Sequence, residues 1–116
     1  MLKNIPERLY HKSSPANREY IQLYGLMPYV GDSYRLHYDE DATLKPYIFL
    51  YDKRYGDYDT TYDDDIYEID TKHLNKHLLD KDPDEYMYNE CGCYVYPIKI
   101  EPQSIKLIYK GTGESE

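Results

Sequence analysis

The chain has no tryptophan, one phenylalanine and two cysteines in 116 residues. Cys91 and Cys93 stand too close together to staple a fold. Their scarcity, with no signal-peptide pattern at Met1-Leu-Lys-Asn, points to the cytoplasm. Positive charge is also short. Lys and Arg number 14 against 22 Asp and Glu, giving a net charge of -8 and a pI near 4.9. That balance argues against direct nucleic-acid binding and against an anionic membrane surface. No apolar run approaches the length of a membrane span, and no internal repeat or low-complexity block is present. The length suits one domain, 1–116, with a real core. Residues 1–8 read as a polar arm broken by Pro6, and 111–116 as a frayed tail.

What the chain has in quantity is tyrosine, seventeen of them. Tyrosine favours strands and offers a wide half-polar surface. Two uses follow: core and sheet faces, or a cleft or partner surface lined with rings. The most legible stretch is 9–29. Leu9 and His11 alternate with Tyr10 on a short strand. Ser14 is placed to cap a helix that Pro15 opens. Ile21 and Tyr24 share its inner face, widened by Tyr20 and Leu23. Gly25 supplies the left-handed end and Pro28 prevents continuation.

Further along, 29–46 reads as a long loop. Tyr47-Ile48-Phe49-Leu50-Tyr51 reads as a central strand. Asp57, Asp59, Asp63, Asp64 and Asp65 follow Tyr55 without a base, but their spacing does not fit a calcium loop. They read as a solvated acidic loop. Ile66 to Asp70 is a strand of mixed faces, and Thr71 to Leu79 one or two helical turns. Asp80 to Asp84 is a turn. Glu85 to Cys91 gives no clear reading. Tyr94–Tyr96 and Ile98–Ile100 look like one strand interrupted by Pro97, which demands an edge or a bulge. A turn at Glu101–Ser104 leads to a last strand, Ile105–Tyr109. The sum is five or six strands with one main helix, an α+β domain of antiparallel pairing.

Several chemistries are excluded. There is no glycine-rich phosphate loop, no Gly-x-Ser-x-Gly elbow and no His-Glu-x-x-His pair. Cys-x-Cys is not the spacing of a redox helix. His73 and His77 stand one helical turn apart, and Cys91 and Cys93 would complete four ligands. Again, Cys-x-Cys is not the usual zinc spacing, and no metal is expected.

Leu9-Tyr10-His11-Lys12-Ser13-Ser14-Pro15, Asn17-Arg18-Glu19-x-Ile21 and Tyr24-Gly25-Leu26 together resemble the opening of small ADP-ribosyltransferase-like proteins, whose fold RNA 2′-phosphotransferases share. Tyr47 to Asp52 resembles their second motif strand. Asp65 to Asp70 and Ile100 to Ile105 resemble their later strands. The resemblance implies a compact ADP-ribosyltransferase-like domain using NAD as substrate. His11 would hold the adenosine ribose. Tyr47 and Tyr51 are the candidates for the nicotinamide side, and Tyr10, Lys12 and Tyr24 complete the cofactor set. A late acid, Glu90 or else Glu85, would stabilise the oxocarbenium-like centre and orient the attacking group. With only Arg8, Arg18, Arg35 and Arg54 to meet phosphate, the acceptor is expected to be a protein or small molecule rather than RNA.

A second reading stands beside this one. Whereas a phage or mobile-element source is the expectation that goes with the transferase, here the chain would be a non-catalytic acidic protein on the same scaffold. Its tyrosine-dotted surface from Tyr55 to Asp70 would cover a basic, nucleic-acid-binding site on a partner, as in phage counter-defence.

Overall fold

The computed structural model describes residues 1–29, 45–55 and 62–114. Six strands form one antiparallel sheet: β1 (Arg8–Ser13), β2 (Ile48–Tyr51), β3 (Asp65–Asp70), β4 (Asp80–Lys81), β5 (Cys93–Tyr96) and β6 (Ile105–Tyr109). Their order across the sheet is β4-β5-β2-β1-β3-β6. The main helix, α1 (Arg18–Tyr24), packs on one face, and a five-residue helix, α2 (Glu85–Asn89), precedes β5. The domain is α+β, as its strand and helix signals predict.

The core follows from alternation. Leu9 and His11 on β1 face the same side as Asp65, Tyr67 and Ile69 on β3, because the register pairs Leu9 with Ile69, His11 with Tyr67 and Ser13 with Asp65. The strand is not of mixed faces. Starting it at Asp65 rather than Ile66 reveals a strict buried/half-buried alternation. Ile48, Leu50, Tyr94 and Tyr96 continue the same layer, and Ile21 of α1 and Leu26 close over it.

Ser14 does cap, but it caps a 3-10 turn, Pro15–Asn17, accepting from the Ala16 amide at 3.3 Å, and α1 continues from that turn. Gly25 ends the helix at φ 83°, with its amide on the Ile21 carbonyl at 2.8 Å. A Cβ there would fall 2.1 Å from the Ile100 oxygen, so glycine is required for both conformation and approach. The approach matters because Leu26 and Ile100 exchange both backbone hydrogen bonds, at 2.9 and 3.0 Å.

Other expectations meet corrections. β5 ends at Tyr96, before Pro97, and lies between β4 and β2. The proline therefore ends an inner strand instead of interrupting an edge. Thr71 to Leu79 does hold turns of the expected kind, a 3-10 turn at Thr71–His73 and a second hydrogen-bonded turn in which the Leu78 and Leu79 amides donate to the Asn75 carbonyl at 2.9 and 3.3 Å. Asp80 and Lys81, expected in a turn, pair with Val95 and Tyr94. The long loop and the start of the acidic loop fall at 30–44 and 56–61, outside the described residues.

The arm and tail are both tied down. Leu2 and Ile5 pack on the core, and Thr71 donates to the Pro6 carbonyl through its hydroxyl at 2.6 Å and to the Glu7 carbonyl through its amide at 3.1 Å. The Gly113 amide donates to the Asp63 carbonyl at 2.8 Å, and the Asp63 amide to the Glu114 carbonyl at 3.0 Å. Residues 111–114 are held because their backbone continues the antiparallel pairing that β6 begins.

Candidate functional site

His11 is only 4% exposed, and its Nδ1 lies 2.7 Å from the Phe49 carbonyl oxygen. A carbonyl only accepts, so Nδ1 carries the proton and donates. Burial draws the imidazole's pKa below its ordinary 6.5, against the opposing pull of that hydrogen bond, so the ring is neutral near pH 7. The local reason is visible in the pairing. β1 meets β3 along its whole length but meets β2 at one register position, Tyr10 with Tyr51. The imidazole reaches a β2 carbonyl where that ladder gives out.

The residues expected around NAD divide between two faces of the sheet. Tyr10 and Lys12 point away from α1, opposite to His11. Tyr51 joins them, its ring 6.0 Å from Tyr10 and 4.9 Å from Tyr55. Phe49 lies on that side too, with Tyr29 and Tyr47 at 6.1 and 6.4 Å. Tyr10, Lys12, Tyr47 and Tyr51 therefore share one aromatic face. His11 lies beyond the sheet, on the core side. Tyr24, half exposed beside Tyr20 at 4.9 Å, sits on α1 over the core side as well. His11 and Tyr51 do not confront each other across a cleft.

Glu85, which opens α2, and Glu90, the residue just past its end, are the two expected catalytic acids, and both are exposed. Asp84 caps that helix, accepting from the Tyr86 and Met87 amides at 3.0 and 3.3 Å. α2 reaches the aromatic face through Met87, which packs with Tyr10 and Tyr55 on Tyr51, Cys91 and Cys93. Nearby, Arg54 donates to Asp52 through Nε and Nη2, the latter at 2.8 Å, and to the Asn89 carbonyl at 3.0 Å. The Asp52 hydrogen bonds raise the Arg54 pKa first, and the Glu90 charge adds to them. Gly92 stands at φ 66°, and a Cβ there would strike the Asp52 carboxylate at 2.1 Å.

Both cysteines are buried thiols. Burial first, then Asp82, pushes Cys93 up to about 12, so it is no thiolate nucleophile. His73 and His77 are exposed, and no group of three or more potential metal ligands forms among the described residues. No described helix is long and apolar enough to cross a membrane.

The densest polar network was not anticipated. Asp65, with no exposed surface, accepts from Arg18 Nε at 2.8 Å and Nη2 at 2.7 Å, and from the Gly111 amide at 2.9 Å. The Tyr67 hydroxyl adds a longer contact at 3.4 Å. The Arg18 bonds hold the Asp65 carboxyl below its usual range. Burial, then the Asp65 charge, pushes the Tyr67 phenol up to about 12. Asp63 is engaged too, accepting from Tyr109, the Thr112 amide and the Thr112 hydroxyl. Two of the five acids expected in a solvated loop thus serve the fold. A signal was present: Asp65, Tyr67 and Ile69 share one strand parity, which puts a carboxylate on the core side and demands a cation.

Comparison with protein-family models, with curated proteins and with solved structures finds no match.

Proposed function

We propose that the chain is a non-catalytic binding protein whose acidic, tyrosine-bearing surface covers a basic site on a partner. One observation carries this reading. The imidazole at His11 is buried and committed to the Phe49 carbonyl, on the opposite side of the sheet from Tyr51. The surface differs from the one expected between Tyr55 and Asp70, since Asp63 and Asp65 are engaged internally. The edge formed by β4 and α2 suits the role better. There Asp80, Glu85 and Glu90 are exposed, and Tyr86 is 60% exposed. Beside it Arg54 is paired with Asp52, and Lys81 lies over the Tyr88 ring at 5.4 Å.

The test is displacement of a labelled polyanion from a heparin-binding protein by the purified chain, at rising salt. Displacement should fade as salt screens the contact and weaken when Glu85 and Glu90 are both changed to Gln. Indifference to both changes would count against the reading.

A second reading is favoured by one observation: Tyr10, Lys12, Tyr47 and Tyr51 share a face. On an ADP-ribosyltransferase-like scaffold, NAD would lie on that aromatic face with Glu90 as the acid, and His11 would hold the sheet rather than the ribose. Calorimetric titration with NAD separates the two. Heat that is lost on Tyr51→Ala but kept on His11→Gln would move the balance to the transferase.

A further inference from the structure

We draw no further inference here: the strongest candidate, the apolar surface patch on the outward face of α1 where Tyr20, Leu23 and Tyr24 are each more than half exposed, carries nothing because nothing in the structure shows what covers it.

Discussion

Arg18 and Asp65, on α1 and β3, meet side by side: Nε on Oδ2 at 2.8 Å and Nη2 on Oδ1 at 2.7 Å. The same Nη2 donates to the Gly111 carbonyl at 3.2 Å, so one pair joins the helix, the sheet and the C-terminal segment. Replacing Arg18 by Met leaves a carboxylate without exposed surface and without its cation, which is the costly way to break such a pair. In urea denaturation the midpoint should fall further than for Arg54→Met, because the Arg54–Asp52 pair is half exposed on its cation side. A double variant, Arg18→Met with Asp65→Leu, should recover part of the loss. Equal effects from the two single variants would show that burial does not set the value of the Arg18 pair.

The tail is argued from the same pair. Gly111 supplies an amide to Asp65 and a carbonyl to Arg18, and a Cβ at Gly111 would meet the Asp63 oxygen at 1.9 Å. Ending the chain after Lys110 should lower the denaturation midpoint, because Asp65 and Arg18 both lose a backbone partner. In the intact chain the amides of Asp63 and Gly113, bonded to Glu114 and Asp63, should resist hydrogen exchange far better than an exposed tail amide. Exchange of both at the rate of a free peptide would refute the clasp.

His11 gives a pH dependence whose sign is fixed by its depressed folded-state pKa. The unfolded chain takes up a proton near the ordinary value of 6.5, while the folded chain resists until lower pH. The stability concerned is therefore present above about pH 6.5 and is lost as pH falls toward the folded value. Denaturation midpoints measured between pH 7.5 and 5 should decline for the native chain and decline less for His11→Gln. The carboxyls held low, those of Asp63, Asp65 and Asp70, titrate below that window. Parallel slopes for the two proteins would mean that the imidazole is not buried neutral.

Much of this fold is legible in the chain because local chemistry and tertiary position agree. Gly25 and Pro28 stop α1, and the apolar run at 48–51 becomes an inner strand. Asp65 was missed because it sits in a run of three acids, where composition suggests water, while only its parity with Tyr67 and Ile69 places it inside. α2 was missed for a different reason. Five residues are too few for a helical period to show. The helix rests instead on Asp84 and on contacts with β5. His11 was read correctly as lying on a strand, yet alternation alone does not say which face a ligand would use. Its carbonyl partner lies 38 residues away on β2, beyond the reach of any local pattern.

α2 allows a final prediction that separates structure from surface. Its five residues are held at the N-terminus by the Asp84 carboxylate, which accepts from two backbone amides. Asp84→Ala should cost about 1 kcal/mol, the usual value of such a cap. Asp84→Asn or Asp84→Ser should restore most of it, because either side chain can accept the same bonds. If the acids of this edge meet a basic partner, the Asn variant also isolates charge from fold. It should regain stability while displacing polyanion less well than the native chain. Full recovery of both by Asn would assign Asp84 to the helix alone and leave recognition to Glu85, Glu90 and Tyr86.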